Sequence, residues 1–317
     1  MLVYKYRSGS ERDIEALMNN QFYSASIESL NDVQEGKIII GNQEIELSDL
    51  LIKNPIFTFV SSMNDIFKKY IQECKSYGIY SLSKNYDNEL LWAYYANSYK
   101  GFCIEYDLEI LKQYQLKQEA FYDVKYSKNI PTLKIGDISE PKTLLKKLLS
   151  TKSLNWKHED EFRIITGTIG VYHYFNRAVK SIYFGHKTPE NTIKLVMNIL
   201  RGRGIEYYQI THQKNTYKLI RKKIEDIFKD ESIYKNKVNK FVPYLDEKTK
   251  AYEDLIKKAI IIVEQEALCE EVTYVGISSK SIKDNPVFFI SYVNKIKNLP
   301  TPNYFISKKE IEEIFKN

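Results

Sequence analysis

Residues 78–106 contain three blocks: Gly78-Ile79-Tyr80-Ser81-Leu82-Ser83, then Glu89-Leu90-Leu91-Trp92-Ala93-Tyr94-Tyr95-Ala96, then Gly101-Phe102-Cys103-Ile104-Glu105-Tyr106. The outer two are short, rich in β-branched and aromatic residues and opened by glycine, which predicts strands. The middle block predicts a helix, because Trp92, Tyr95 and Tyr99 recur at i, i+3 and i+7 on one helical face. Strand, helix and strand in close succession predict an α+β fold, a short-stranded mixed sheet with helices between its strands.

Similar elements extend in both directions. Toward the N-terminus, Leu2-Val3-Tyr4-Lys5-Tyr6-Arg7 alternates as a strand does, and Ser10 caps a helix carrying Ile14, Leu17 and Met18. Phe22–Ser26 reads as extended, and Lys37–Ile40, Gly41-Asn42 and Glu44–Leu47 as a hairpin. Toward the C-terminus come a basic helix over Pro141–Ser153, strands over Phe162–Thr166 and Ser181–Phe184, a helix over Thr188–Arg201 and a strand over Ile205–Ile210. After Arg221 the texture changes. Residues 222–269 carry Ile, Leu and Val at helical spacing, Val272–Ile277 reads as a strand, and Ser307 with Glu310 forms a capping box for a last helix. The expected organisation is an α+β domain over 1–221 that handles a nucleotide, followed by a mainly helical module over 222–317. The apolar stripe of that module would pack on the first domain or on a second copy of the chain, giving a homo-oligomer.

Composition limits the class of protein. With 317 residues, 43% hydrophobic and 28% charged, the chain has enough apolar surface to fold, which excludes a largely disordered protein. Three cysteines make no disulfide framework. The longest aliphatic run, Ala259 to Val263, is far short of the ~20 residues that span a bilayer. Lys5, Arg7, Glu11, Arg12 and Asp13 interrupt any leader-like segment, so the expected location is the cytoplasm, without membrane contact. A net charge of +6 permits an anionic partner without requiring one. The 26 tyrosines suit strands and cores, and suit nucleobases equally. Phosphate-loop, nucleophile-elbow and zinc-spaced cysteine motifs are absent, and His158, His173, His186 and His212 stand apart in the sequence.

Three segments carry candidate chemistry. Alternation places Lys5 and Arg7 on one strand face; Arg7 would clamp a phosphate or carboxylate, or else decorate an edge strand. The Trp92–Tyr95–Tyr99 stripe is either core packing or the wall of a ligand site. In Trp156-Lys157-His158-Glu159-Asp160-Glu161-Phe162-Arg163, a strand starting at Glu159 would project Glu159, Glu161 and Arg163 from one face. Like charges so placed repel, which suits an exposed mixed-charge edge or a site needing a poised carboxylate.

Taken together, the YKYR strand, Leu30-Asn31-Asp32…Glu35, SLS…LLWAYYA…KGFCIEYD, VKY, TKSLNWKHEDEFRII and VKSIYFG resemble a bacterial family of unknown function often found near defence or mobile genes. The resemblance covers about residues 1–221 and departs from the family's pattern at Val33, where proline is usual. Arg7, Ser81-Leu82-Ser83 and Glu159-Asp160-Glu161, in that order, also resemble the arginine–serine–glutamate ADP-ribosyltransferases. That second resemblance implies an NAD-using enzyme of defence or toxin type. Arg7 would hold the pyrophosphate, and Ser81 or Ser83 would brace the site beside Tyr95 and Tyr99. Glu161 would stabilise the ribosyl cation, and Glu159 would position a protein or nucleic-acid acceptor.

Two other readings remain open. A Mg²⁺-dependent nuclease would gather Asp32, Glu35, Glu159 and Glu161 around the metal, with Lys218, Arg221 and Lys222 on the nucleic acid. A non-catalytic module would use the aromatic wall and the basic face to sense a nucleotide or peptide.

Overall fold

The computed structural model describes residues 1–40, 63–114, 120–134, 137, 140–297, 299 and 301–316. The glycine turn and second strand of the expected hairpin, 41–47, lie outside the described residues. The fold is α+β, in two compact units. Unit 1 comprises Met1–Gln21, Tyr86–Gln115 and His173–Asn317; unit 2 comprises Phe22–Asn85 and Leu116–Tyr172.

In unit 1, five strands lie side by side in the order Leu219–Ile224, Glu206–His212, Val179–Phe184, Phe102–Asp107 and Leu2–Arg7. Val179–Phe184 runs parallel to Glu206–His212, and the other three pairings are antiparallel. The parallel pair is bridged by the helix Glu190–Ile199, the crossover that parallel strands require. Phe102 to Tyr106 are all buried, as befits a strand covered on both faces. On one face Tyr4, Tyr6, Cys103, Tyr183, Ile210 and Leu219 pack beneath Leu91, Trp92 and Ala96. Trp92 is fully buried, and its indole N–H donates to the Tyr86 carbonyl (2.7 Å). The helix Glu89–Tyr95 is capped by Asn88 and gives way to a left-handed turn in which Asn97, Ser98 and Tyr99 have φ of 48°, 52° and 69°. Tyr99 therefore lies beyond the helix that the i+7 spacing assigned to it, and its carbonyl presses on Gly185, where a Cβ would sit 2.1 Å away.

Unit 1 also holds the C-terminal segment, and here the structure corrects the expectation of a mainly helical module. Arg221 sits inside the strand Leu219–Ile224, so the texture change marks the middle of an element. Of the two amphipathic helices expected over 222–269, only Glu253–Glu264 forms at length, preceded by a single turn at Glu247–Lys250. Three antiparallel strands follow, Cys269–Ile277, Val287–Asn294 and Asn303–Ser307. Their buried face carries Phe288, Ile290, Tyr292, Tyr304 and Ile306 at strand alternation, with Val272 and Val275 three apart where the register of the first strand shifts, a pattern that helical spacing in the preceding stretch does not announce. The terminal helix Lys308–Lys316 opens on the expected capping box, with the Ser307 N–H donating to Glu310 (2.8 Å) and the Glu310 N–H to Ser307 Oγ (3.3 Å).

In unit 2, Glu161–Thr166 lies between Gly78–Ser83 and Ala120–Asp123, antiparallel to both. Ile79 and Ile165 bury against Leu144, Leu148 and Leu149 of the helix Pro141–Leu149. That helix stops at Leu149, and Thr151–Ser153 is a short strand instead of the helical end expected. Among the described residues, no helix is long and apolar enough to cross a membrane.

Candidate functional site

Unit 2 brings together Ser81, Ser83, Glu159, Glu161 and Glu35. Antiparallel register sets Glu161 opposite Ser83 and Arg163 opposite Ser81. The Arg163 guanidinium is fully buried; Nε donates to Glu161 Oε1 (2.7 Å), Nη2 to Glu35 Oε2 (2.6 Å) and Nη1 to the Leu149 carbonyl (2.7 Å). The Lys152 ammonium, also buried, is 2.5 Å from Glu159, 3.0 Å from Glu35 and 3.2 Å from Glu161. It lies 4.9 Å from the Trp156 ring centroid, so that ring attracts the same cation. Burial alone would push the Glu161 carboxyl up, but Arg163, then Lys152 and the Ser81 hydroxyl, hold it down at about 2. Burial likewise works against the Lys152 ammonium, and Glu161, Glu35 and Glu159 outweigh it, so its pKa lies above the ordinary lysine value. Opposite charges within hydrogen-bonding distance offset the cost of burying this cluster.

This geometry revises two expectations. Glu159 is not on the strand: it ends a 3-10 turn over Leu154–Glu159, Asp160 follows in the left-handed region, and the strand begins at Glu161. The repulsion foreseen between Glu159 and Glu161 is relieved by Lys152, which lies too far along the chain for strand alternation to register. The acidic set proposed for Mg²⁺ also fails to assemble as metal ligands. Glu35, Glu159 and Glu161 converge, but on an ammonium, which already supplies the cation; Asp32 instead caps a turn, accepting from the Gln34 N–H (2.9 Å). Among the described residues, no group of His, Cys, Asp or Glu is arranged to hold a metal ion. Ser83 Oγ donates to the Glu159 carbonyl (2.8 Å), bracing that turn.

The remaining sequence candidates belong to unit 1. Arg7 lies at the end of its strand, 3.6 Å from Asp13. Tyr95 is half-buried at the end of its helix, and Tyr99 stacks on Trp92 (5.9 Å between centroids) and tilts against His186 (4.7 Å). His186 and His212, apart in sequence, are neighbours here at 5.7 Å, and His212 Nε2 lies 3.2 Å from Glu89.

Sequence reasoning missed a second polar site in unit 1. Glu105, 5% exposed, receives hydrogen bonds from three hydroxyls: Tyr183 (2.6 Å), Ser181 (2.9 Å) and Tyr4 (3.0 Å). Burial first, and then Glu105, push the Tyr4 and Tyr183 hydroxyls well above the usual tyrosine range, so both remain donors. The Tyr183 oxygen also accepts from Arg221 Nη1 (2.6 Å), linking the buried carboxylate to an exposed guanidinium. That guanidinium lies over Tyr208 (4.6 Å), Tyr86 (5.5 Å) and Tyr183 (5.8 Å). The three rings themselves stack in series, Tyr86 on Tyr183 (4.9 Å) and Tyr183 on Tyr208 (5.1 Å). The available signal was alternation: Glu105, Ser181 and Tyr183 are polar residues at inward positions of central strands, where a purely structural core places hydrocarbon.

Residues 91–164 match the model of a family described as Protein of unknown function (DUF2971). The matched segment runs from the Trp92 helix through the Glu105 strand to Lys152, Glu159, Glu161 and Arg163. No curated protein and no solved structure matches the chain.

Proposed function

We propose that the chain binds a nucleotide, with Arg221 and the half-buried rings of Tyr86 and Tyr208 as the binding platform, braced by the fully buried Tyr183. The observation that supports this reading is an exposed guanidinium, fixed by Tyr183 and lying 4.6 Å from the Tyr208 ring centroid. Such a group pairs with phosphate oxygens, while half-buried tyrosine rings beside it offer a face to a base. Lys218 and Lys222 are exposed on either side in sequence and add positive potential. The test is a calorimetric titration with ATP, NAD and AMP. Wild type should bind at least one of them, and Arg221→Ala should weaken that binding about tenfold or more, the scale of a lost charge-assisted contact. A wild-type protein that binds none of them overturns the reading.

A second reading, NAD-dependent ADP-ribosyl transfer, is favoured by the Ser81–Ser83 strand lying in register against Glu161, with Ser81 bonded to that carboxylate. Here NAD is the substrate, Glu161 faces the developing ribosyl cation and Glu159 positions a protein or nucleic-acid acceptor. Glu161 already serves two buried cations, so this chemistry requires Lys152 or Arg163 to release it. NAD turnover that falls by orders of magnitude in Glu161→Gln while NAD binding persists supports transfer. Wild type that binds NAD without consuming it in the presence of cell extract leaves the chain a sensor.

A further inference from the structure

The solvent face of the C-terminal sheet is built unlike that of an ordinary half-exposed sheet. Its other face is fully used, packed beneath the helix Glu253–Glu264 through Val272, Val275, Ile290 and Tyr292. Outward positions of such a sheet normally carry polar side chains. Here Phe289 and Phe305 stand directly opposite each other on neighbouring strands, and Tyr274 comes from the third strand, 54% exposed. The rings form a continuous row, Tyr274 to Phe289 at 6.0 Å and Phe289 to Phe305 at 5.2 Å. Gly276, opposite Phe289, leaves room for the Tyr274 ring: a Cβ there would lie 2.5 Å from the Tyr274 hydroxyl, so a larger residue would displace that ring. The Lys280 ammonium lies 4.3 Å from the Phe305 centroid. Lys283 in the same hairpin loop and Lys309 just past the third strand are exposed at the same end of the sheet, against one acid in that loop, Asp284.

We infer that this face binds single-stranded nucleic acid, the bases stacking on Phe289, Phe305 and Tyr274 and the phosphates running past Lys280, Lys283 and Lys309. The rings are tilted 53° and 44° to their neighbours, so each offers its own face to a separate base. Aromatic rows flanked by ammonium groups suit this ligand, because every base has a π-face and the backbone carries regular negative charge. A duplex hides its base faces and offers only the electrostatic part. The site is separate from the Arg221 platform and does not depend on the nucleotide reading.

The experiment is fluorescence anisotropy with a labelled pyrimidine single strand of about ten nucleotides, within the usual footprint of one such surface, and the duplex of the same length. The full chain should prefer the single strand, and binding should weaken as salt rises. Phe289→Leu and Phe305→Leu retain apolar bulk, so melting should hold while single-strand affinity falls roughly tenfold for each ring lost. Lys280→Gln should weaken binding less and flatten its salt dependence. Arg221→Ala should leave it unchanged, which separates failure here from failure of the nucleotide site. Absence of single-strand binding, equal binding of the duplex, or indifference to both leucine substitutions overturns the inference. So does a wild-type dimer that sedimentation shows to dissociate in the leucine variants, since a second copy would then cover the face.

Discussion

Glu161 in unit 2 and Glu105 in unit 1 are each 5% exposed on a sheet strand, yet they are stabilised by opposite means. Glu161 is matched by two cations, Arg163 and Lys152, in a network that also takes in Glu35 and Glu159. Glu105 is held by three neutral hydroxyls, and its nearest cation, Arg221, is one tyrosine away at the surface. Another buried carboxylate, Glu266, accepts from the Asn176 N–H (2.8 Å); burial outweighs that bond and Arg177, and pushes its carboxyl up to about 7. Ion pairing closes a site and fixes its charge, whereas hydroxyl solvation leaves a charge that a surface group can communicate with. That difference is why the Arg221 platform is the better place to look for a ligand.

The contrast breaks most visibly at Arg163. Arg163→Met strands Glu161 and Glu35 without their shared guanidinium, and unfolding in urea should show a loss of ~3–5 kcal/mol, the usual cost of removing one partner from a buried pair. A loss under ~1 kcal/mol would mean that the network is solvated and the contrast false.

Acid should act on the same network. The Glu161 carboxyl is lowered from its ordinary value near 4.5 to about 2 in the folded protein. The stability it contributes is therefore complete above pH 4.5 and is lost as pH falls from there toward 2. Melting temperatures measured through that window should drop steeply for wild type and less so for Glu161→Gln, which starts from a lower value.

Glu105→Gln sharpens the other side. An amide N–H₂ in place of one carboxylate oxygen sets donor against the hydroxyl donors that the oxygen accepted from, so about 1–3 kcal/mol should be lost, less than at Arg163. Chemical denaturation of the two variants side by side tests the ranking.

Glu266 predicts the reverse pH trend. Its raised carboxyl makes the folded state hold a proton that the unfolded chain releases, so its contribution to stability is greatest below pH 4.5 and declines as pH rises through about 7. Glu266→Gln should melt at a temperature that no longer falls across that range and should exceed wild type at pH 8. The smallest effect belongs to Arg221→Ala, where loss of the bond to Tyr183 and of the ring contacts should cost about 1 kcal/mol while nucleotide binding weakens about tenfold. A large destabilisation would make Arg221 part of the core and remove the ligand argument.

What the sequence by itself determined is the local structure. Alternation set the strand at Leu2–Arg7, short glycine-opened runs of β-branched and aromatic residues set those at Gly78–Ser83 and Phe102–Asp107, Ser10 capped its helix, and Ser307 with Glu310 announced the last one. These features are decided within a few residues, by side-chain period and by the orphan N–H groups at a helix start. The strands Val287–Asn294 and Asn303–Ser307 carry the same local signal in Val287-Phe288-Phe289-Ile290 and Tyr304-Phe305-Ile306, although helical spacing dominates the stretch ahead of them. Only the tertiary structure decided the sites. Arg163 meets Glu35 across 128 positions of chain and Tyr183 meets Glu105 across 78, and Lys152 separates Glu159 from Glu161 only because the chain turns back between them. A carboxylate's charge state depends on what lies within a few ångströms in space, and spacing along the chain carries no record of that.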